Sequence, residues 1–352
     1  MDKIVIRGGH PLNGTVPIAG AKNAALPILM ATLVAPGRHG LVNVPELVDV
    51  STTLSLLGRL GCPSLVNPGS VQLDTSRISF NEAPYDLVRR MRASVLALGP
   101  LLARCGEAKV SLPGGCAIGM RPIDQHLKGM EALGAEFVLQ DGYVHGHAKR
   151  LVGNRIPLDV PTVTGTENIL MAAVLAQGES RIENAAREPE IVDLANFLIS
   201  CGAQIEGAGS ETIMVQGVSS LAPAPEAYSI LPDRIEAATY LIAGAITGGD
   251  LTITEANPSD LTPVIAKLRE AGCLIDVEDR TIRIRREGPI RSVNIDTEPH
   301  PGFPTDVQAQ FMALMTLGDG CSEIRENIFE NRFMHVPELG RMSANIEVDG
   351  NT

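Results

Sequence analysis

The chain alternates short β-prone runs with two kinds of apolar helix. The first kind is rich in alanine and apolar on most sides, which is typical of a buried helix. It occurs at residues 23–31, 93–101, 168–176, 237–245 and 310–315. The second kind has one apolar side and ends at a glycine before the next β-prone run. The pattern therefore predicts a unit of strand, buried helix, strand, surface helix, strand and strand.

This unit repeats along the chain. Four helices end at Gly61, Gly134, Gly202 and Gly272, which follow one another at intervals of 73, 68 and 70 residues. Glycine is the residue that most readily takes the left-handed conformation after a helix, so these positions predict helix caps. A fifth copy carries Ser343 at the equivalent place. Stacked units would place helices inside and mixed sheets outside, whereas ordinary βαβ units are the alternative that the pattern leaves open.

Composition narrows the class of protein. A chain of 352 residues with 20% charged residues suggests about two globular domains. The first residues lack the features of a signal peptide, and no apolar run approaches the roughly 20 residues of a membrane span, so we expect a cytoplasmic location. The net charge of −12 argues against binding to nucleic acid or to a membrane surface. The six cysteines show no C-x-x-C spacing, which predicts free thiols and no metal site. No cofactor is expected.

Cys116 is the strongest candidate for chemistry. It lies in a loop with Gly114, Gly115 and Gly119, and Arg121 follows five residues later. A nearby guanidinium favours the thiolate and can hold an anionic substrate, while the glycines allow the loop to move. The alternative is a buried, inert cysteine in a tight turn.

Seven motifs, in order, resemble those of the enolpyruvyl transferases, and the resemblance covers essentially the whole chain. They are Gly20-Ala-Lys22-Asn23, Met91-Arg92-Ala-Ser, Pro113-Gly-Gly-Cys116-Ala-Ile-Gly-Met-Arg121-Pro-Ile-Asp124, Glu183-Asn-Ala-Ala-Arg187-Glu-Pro-Glu190, Leu231-Pro-Asp233-Arg234-Ile-Glu236, Phe303-Pro-Thr-Asp306-Val-Gln-Ala-Gln310 and Phe329-Glu-Asn-Arg332-Phe-Met-His335.

The resemblance implies a two-domain, inside-out α/β barrel built from six repeats of about 70 residues, with the active site between the domains. It places residues 22–231 in a three-repeat domain that carries the Cys116 loop, and residues 1–21 with 232–352 in the second domain. Five repeats are visible in the sequence, so we expect the sixth unit to be missing and the second domain to be incomplete at its C-terminal end. The inner helix around residues 311–315 should then be uncovered.

The activity that the resemblance implies is transfer of the enolpyruvyl group of phosphoenolpyruvate to the 3′-hydroxyl of UDP-N-acetylglucosamine, with release of phosphate. This is the first committed step of peptidoglycan synthesis. The reaction needs an acid for C3 of the donor, a base for the acceptor hydroxyl and cations for the phosphate. Cys116 matches the family's acid and nucleophile, and Asp306 matches its base. Lys22 and Arg121 complete the expected catalytic set.

A wider set of residues is expected to bind the substrates. The resemblance to the family motifs implies that they contact the donor or the nucleotide sugar. The set comprises Lys22, Asn23, Arg92, Arg121, Pro122, Ile123, Asp124, Gln125, Val163, Thr164, Gly165, Asp306, Ile328 and Arg332. Lys22 and Asn23 open a helix after a glycine turn, where backbone N–H groups favour an anion. Arg187, Glu188 and Glu190 are interpreted as a charged turn that positions other groups, and Asp233, Arg234 and Glu236 as part of a hinge between domains. Surface salt bridges are the alternative for both sets.

Several alternatives remain at this stage. Without the resemblance, Lys22 reads as a solvated surface lysine and Asp306 as a helix N-cap. Within the same superfamily, the acceptor could be shikimate 3-phosphate, although that branch lacks the cysteine loop. From a different class, the chain could be a catalytically silent ligand-binding protein. The sequence does not fix the oligomeric state.

Overall fold

The structure, a computed structural model, describes residues 4–88, 91–112 and 123–352, apart from the side chain of Arg92. Contacts divide the chain into two compact units. The larger unit is Gly20–Leu231, and the smaller unit combines Met1–Ala19 with Pro232–Thr352. The boundaries predicted from the sequence are residues 22 and 231.

The strands are numbered along the chain. They are β1 (Asn13–Pro17), β2 (Arg38–Val42), β3 (Ser64–Asn67), β4 (Ser70–Asp74), β5 (Glu82–Ala83), β6 (Glu107–Ser111), β7 (Glu136–Gln140), β8 (Tyr143–His147), β9 (Arg155–Pro157), β10 (Glu179–Glu183), β11 (Gln204–Glu206), β12 (Thr212–Gln216), β13 (Tyr228–Ser229), β14 (Asp250–Thr254), β15 (Leu274–Glu278), β16 (Thr281–Arg285), β17 (Ile295–Asp296) and β18 (Ile324–Arg325).

The helices are α1 (Lys22–Ala31), α2 (Val48–Arg59), α3 (Tyr85–Val88), α4 (Leu98–Cys105), α5 (Asp124–Ala132), α6 (Val163–Ala173), α7 (Pro189–Ser200), α8 (Arg234–Thr247), α9 (Thr262–Glu270), α10 (Gln308–Met315) and α11 (Val336–Arg341). Short 3₁₀ helices span Thr32–Val34, Arg92–Ala97, Pro258–Leu261 and Thr305–Val307.

The larger unit holds three four-stranded sheets of the same design, in the orders β13-β2-β4-β3, β5-β6-β8-β7 and β11-β12-β10-β9. In each sheet one edge strand, β13, β5 or β9, pairs in parallel with its neighbour, and the other three strands pair antiparallel. Along the chain, a helix (α2, α5 or α7) connects the first of these three strands to the second. Buried apolar residues face each other at the centre of each sheet: Leu41 with Val71, Val110 with Val144, and Ile182 with Ile213.

The alanine-rich helices form the core of the larger unit, as their apolar pattern predicts. Residues 24–31 of α1 and 165–173 of α6 are all buried, and α6 packs against α1, α4 and α5. Small residues allow this close packing. A Cβ at Gly99 in α4 would lie 2.5 Å from Oδ1 of Asn168, so α4 can approach α6 at this point only with glycine.

The helix caps predicted from the repeat are confirmed. Gly61, Gly134, Gly202 and Gly272 have φ angles of 95°, 93°, 102° and 97°. Ser343, at the equivalent place in the fifth copy, also has a positive φ of 73°. The backbone turns in the same way at all five positions, and in the last copy a serine adopts a conformation that favours glycine.

The smaller unit has one four-stranded sheet, β1-β14-β16-β15, with α9 on the connection between β14 and β15. A second sheet consists of β17 and β18, paired in parallel. The inner helices are α8 and α10, which pack against each other.

The expectation that residues 311–315 are uncovered is wrong. Phe311 and Leu314 are fully buried, and Met312 and Met315 are buried as well. Phe303 packs edge-on against Phe311 with ring centroids 5.4 Å apart, and Val307 and Val336 belong to the same cluster. Packing within this unit therefore covers the apolar side of α10, an outcome that counting repeats along the sequence could not reveal.

In the part of the chain that the structure describes, no helix is both long and apolar enough to span a membrane.

Candidate active site

In the larger unit, the start of α5 is fastened to the segment that leads into α6. Gln125 donates to Oδ2 of Asp159 at 3.1 Å and accepts from the Asp159 backbone N–H at 2.9 Å. Lys128 donates to the other carboxylate oxygen of Asp159 at 2.5 Å. The bonds from Lys128 and Gln125 lower the pKa of Asp159. The structure thus brings together the two predicted nucleotide-binding segments, Asp124–Gln125 and Val163–Gly165.

A buried network sets the orientation of Thr164, one of the predicted binding residues. Asn168 accepts from the Gly99 N–H through Oδ1 at 2.6 Å, so its amide nitrogen faces the Val95 carbonyl and Nδ1 of His126. His126 Nδ1 must then accept, which places the ring proton on Nε2. Nε2 lies 3.2 Å from the Thr164 hydroxyl oxygen and donates to it. The Thr164 hydroxyl can therefore offer its proton to a ligand.

Sequence reasoning missed His126 and Asn168. His126 is 1% exposed and Asn168 is fully buried. The available signal was the position of Asn168 in an apolar helix, where a polar side chain needs a buried partner. The identity of that partner follows only from the packing of α5 against α6.

Lys22 and Asn23 form the first two positions of α1, as predicted. Lys22 is half-exposed, and its Nζ lies 3.4 Å from a carboxylate oxygen of Asp49 in the first turn of α2. Asn23 is exposed. The first turn of α1, which is described throughout, carries no acidic side chain, so the helix dipole and the lysine both favour an anion there.

Three predicted site residues, Cys116, Arg121 and Pro122, lie outside the described residues. Arg92 begins a 3₁₀ helix, and only its backbone is described. Ile123 is buried directly before α5, and Asp124 is exposed at the first position of that helix.

The other five cysteines are free thiols. Cys62, Cys201 and Cys273 are buried, and burial raises the pKa of each, to about 11 for Cys62 and Cys273. Cys105 is exposed, yet partial desolvation of its thiol also raises its pKa. Cys321 is exposed. Four of the five described thiols are therefore poor nucleophiles near neutral pH.

In the smaller unit, the predicted base and a predicted binding residue form an ion pair. Nη2 of Arg332 donates to Oδ1 of Asp306 at 2.5 Å. The guanidinium also lies over the Phe329 ring at 5.2 Å from its centroid. Asp306 lies inside the 3₁₀ helix Thr305–Val307 rather than at its N-cap, which is Pro304, so the N-cap alternative for Asp306 is wrong. Its side chain is 39% exposed, which leaves room for a ligand hydroxyl at Oδ2.

Ile328, the remaining predicted residue, lies in a turn that begins at the buried Glu326. The Ile328 N–H donates to Oε1 of Glu326 at 2.9 Å. The backbone group that Ile328 can present to a ligand is therefore its carbonyl oxygen. Sequence reasoning did not single out Glu326.

A cluster of buried carboxyl groups lies between α6 and α7. Glu167 is 1% exposed, and burial together with the charges of Glu190 and Glu188 raises its pKa well above the usual range. Glu190 is also buried, whereas Arg187 reaches Glu211 at 3.8 Å. The charged turn expected at 187–190 is therefore packed against α6 and shapes the electrostatics there.

Asp233 and Glu236, which are predicted to form part of a hinge, have defined local roles in the smaller unit. Asp233 caps α8 by accepting from the N–H groups of Ile235 and Glu236 at 2.8 and 3.1 Å. The Glu236 carboxylate accepts from the Ala19 N–H at 2.8 Å. Among the described residues, no group of three or more His, Cys, Asp and Glu side chains could hold a metal ion.

Comparison with known proteins identifies the family to which the chain belongs. The model of the family described as EPSP synthase (3-phosphoshikimate 1-carboxyvinyltransferase) matches residues 6–352. A curated protein from Magnetococcus marinus, named UDP-N-acetylglucosamine 1-carboxyvinyltransferase, is 57% identical; the match covers 100% of this chain and 84% of that protein. A protein of the same name from Nitratidesulfovibrio vulgaris is 55% identical with the same coverage.

Solved structures agree with the fold. The enolpyruvyl transferase NikO from Streptomyces tendae matches with a TM-score of 0.87 at 25% identity, over 98% of this chain and 82% of that one. An EPSP synthase from Acinetobacter baumannii matches with a TM-score of 0.70 at 19% identity, over 90% of this chain and 74% of that one. The second likeness concerns the fold alone.

Proposed function

Because this chain belongs to the enolpyruvyl transferase family, we propose that it transfers the enolpyruvyl group of phosphoenolpyruvate to the 3′-hydroxyl of UDP-N-acetylglucosamine. The transfer releases phosphate and serves peptidoglycan synthesis. The observation that carries the choice of acceptor is identity of 55–57% over the whole chain to relatives named for this nucleotide sugar. The likeness to a solved EPSP synthase is much weaker in sequence, at 19%, which makes shikimate 3-phosphate the less favoured acceptor.

Asp306 is the proposed general base. It takes the proton of the acceptor 3′-hydroxyl through Oδ2, while Oδ1 is held by Arg332 at 2.5 Å. The deprotonated oxygen attacks C2 of phosphoenolpyruvate as C3 gains a proton. In the second step C3 loses a proton and the C2–O bond to phosphate breaks, which releases phosphate and leaves the enol ether.

Cys116 is the proposed acid at C3, and its thiol can also capture phosphoenolpyruvate covalently. Lys22, Arg92 and Arg121 are the proposed cations for the phosphate and carboxylate of the donor. Lys22 supports this role by its place at the start of α1, where the helix dipole adds to its charge.

Nucleotide-sugar binding is proposed for the two segments that Gln125 and Asp159 hold together. These are Ile123–Gln125 and Val163–Gly165, with Thr164 oriented by His126. Pro122, which lies outside the described residues, is proposed to bind with the first segment. Asn23, Ile328 and Arg332 complete the set. We propose no metal and no cofactor for the reaction, because proton transfer and charge neutralisation are supplied by side chains.

The larger and smaller units are proposed to be the two domains of the family's inside-out α/β barrel. The recurring sheet order and the matching caps support repeats of about 70 residues. The number of repeats in the family fold, and the expectation that a sixth is missing, stay predictions. Comparing thermal unfolding of the 352-residue chain with that of a chain extended by a sixth repeat tests whether a sixth repeat is missing. A cytoplasmic location is part of the same proposal and is tested by cell fractionation.

The decisive experiment is phosphate release from phosphoenolpyruvate in the presence of UDP-N-acetylglucosamine or of shikimate 3-phosphate. We expect turnover with the nucleotide sugar only, and loss of that turnover in Cys116→Ser. Turnover with shikimate 3-phosphate alone would assign the other branch. Binding of UDP-N-acetylglucosamine without phosphate release would identify a silent binding protein and contradict the proposed activity.

A further inference from the structure

Glu326 is a buried carboxylate whose oxygens both accept hydrogen bonds. It is 3% exposed and directly follows β18. Oε1 accepts from the Thr297 hydroxyl at 3.0 Å and from the N–H groups of Ile328 and Phe329 at 2.9 and 3.1 Å. Oε2 accepts from the Thr305 hydroxyl at 2.8 Å. Burial of a carboxylate is costly without such partners, so these four donors are what stabilises the charge at this place.

Three of the four donors, Thr305, Ile328 and Phe329, belong to the two segments that carry the proposed site in the smaller unit. Thr305 is the first residue of the 3₁₀ helix in which Asp306 lies. Ile328 and Phe329 form the turn before Arg332, and the Phe329 ring packs on the Arg332 guanidinium. One side chain therefore ties the helix of the base to the turn of its ion-pair partner.

Thr297 extends the connection on the other side. Its hydroxyl donates to Glu326 and accepts from the Asn327 N–H at 2.9 Å, while its carbonyl accepts from the Asn327 side chain at 3.1 Å. Thr297 is fully buried next to β17. The start of the turn 326–329 is thus held against Thr297, the residue that follows β17.

We propose that Glu326 is the positioning residue of this half of the site: it fixes Oδ2 of Asp306 and the carbonyl of Ile328 where the acceptor binds. This inference rests on the proposed function. Glu326 does not act as acid, base or ligand, because its oxygens are occupied by protein donors. By taking the Ile328 N–H, it leaves the Ile328 carbonyl to accept from a donor of the nucleotide sugar, such as a sugar hydroxyl.

Precise placement matters because displacement of a reacting group by about 1 Å can cost about a hundredfold in rate. Thr305 offers the sharpest test, since valine keeps its shape and removes the hydroxyl. We expect Thr305→Val to lower kcat by roughly 10- to 100-fold, with KM for phosphoenolpyruvate nearly unchanged. Thr305→Ser keeps the hydroxyl and should retain activity near that of the wild type.

Thr316→Val is the matched control. Thr316 is exposed in the same unit and donates to the Ala313 carbonyl at 2.7 Å, so its loss should leave turnover unchanged. If Thr305→Val keeps the kcat of the wild type, or if its KM for phosphoenolpyruvate changes as much as its kcat, the positioning role is overturned.

Substitutions of Glu326 itself distinguish the effect of its hydrogen bonds from the effect of its negative charge. In Glu326→Gln the amide oxygen can accept the three bonds made to Oε1, and the amide nitrogen can donate to the Thr305 oxygen. We therefore expect Glu326→Gln to retain most activity and Glu326→Ala to lose it. Equal loss in both variants would overturn the proposal, because the charge rather than the geometry would then be required.

Amide hydrogen exchange keeps this test independent of the proposed function. If the wild type turns over neither acceptor, the proposed function fails, and the exchange rates decide the positioning role alone. The Ile328 and Phe329 amides should exchange slowly in the wild type and in Glu326→Gln, and at least about tenfold faster in Glu326→Ala. Fast exchange in the wild type would overturn the inference.

Discussion

Arg332 and Asp306, 26 residues apart in the chain, form a direct ion pair through Nη2 and Oδ1 at 2.5 Å. The pair restrains one carboxylate oxygen and leaves the other on a side chain that is 39% exposed. A base needs this combination of restraint and access, because its free oxygen must meet the substrate hydroxyl in a fixed orientation.

Asp306→Asn is expected to lower kcat by about a hundredfold or more, because an amide cannot take the hydroxyl proton. Affinity for UDP-N-acetylglucosamine, measured by calorimetry, should change only a few-fold. Asp296→Asn is the control, since Asp296 also pairs with an arginine, Arg325, at 3.2 Å. Full turnover in Asp306→Asn would remove Asp306 from the role of base.

Lys22→Met is expected to raise KM for phosphoenolpyruvate at least about tenfold, because a cation is lost at the start of α1. The ion pair with Asp49 is half-exposed, so its loss should cost less than about 1 kcal/mol of stability. Lys109→Met is a matched control, because Lys109 pairs with Glu82 at 3.0 Å on β5 and β6. Similar KM values in Lys22→Met and the wild type would contradict anion binding by Lys22.

Cys116 is expected to be the thiol that reacts first with an epoxide resembling phosphoenolpyruvate. Among the described cysteines, burial raises the pKa of Cys62, Cys105, Cys201 and Cys273, which disfavours their thiolates. Peptide mapping by mass spectrometry identifies the labelled residue. Cys321→Ser is the control, because it removes an exposed thiol that has no assigned role. This variant should label like the wild type. Label found first at any other cysteine would refute this expectation.

Asn168→Ala should lower the free energy of unfolding by about 2–4 kcal/mol. The substitution leaves the buried Gly99 N–H and Val95 carbonyl without the hydrogen bonds that Asn168 makes to them, and it removes the hydrogen-bond donor to Nδ1 of His126. Denaturant unfolding measures the loss. Asn154→Ala removes two exposed bonds, one to the Ala132 carbonyl and one from the Arg155 N–H, and should cost far less because water can replace both. Because His126 orients Thr164, affinity for the nucleotide sugar should also fall in Asn168→Ala, a change that Asn154→Ala should not produce.

Asp193 makes stability depend on pH. Burial raises its pKa from 3.8 to about 6, although hydrogen bonds from Tyr228 and Leu231 act in the opposite direction. The folded state then binds the proton more tightly than the unfolded state, so this contribution is present below pH 4 and is lost as the pH rises through about 6. The change amounts to roughly 3 kcal/mol.

Asp193→Asn lacks this titration. Relative to the wild type, the variant should therefore gain about 2–3 kcal/mol of stability between pH 4.5 and pH 8, measured by urea unfolding at both values. Asp141→Asn, at an exposed turn of the same unit, should follow the wild type. A constant difference between Asp193→Asn and the wild type would show that the carboxyl group does not titrate in this range.

Much of the fold was readable from the sequence because it depends on local preferences. The apolar, alanine-rich pattern at residues 23–31 and 168–176 predicted buried helices, and the glycines after the surface helices predicted left-handed caps. The ordered motifs around Lys22, Cys116 and Asp306 pointed to the family and to the residue types that its chemistry requires. Each of these signals lies within a few neighbouring residues, so the sequence alone determines it.

The tertiary structure decided which distant side chains meet. Glu326 reaches Thr305, and Asn168 reaches Gly99 and His126. It also buried Phe311, which repeat counting had left uncovered. Such contacts arise because burial leaves polar groups without water, so each must find a partner among whatever elements the packing brings close. Periodicity along the chain carries no record of that partner, and so only the assembled units reveal it.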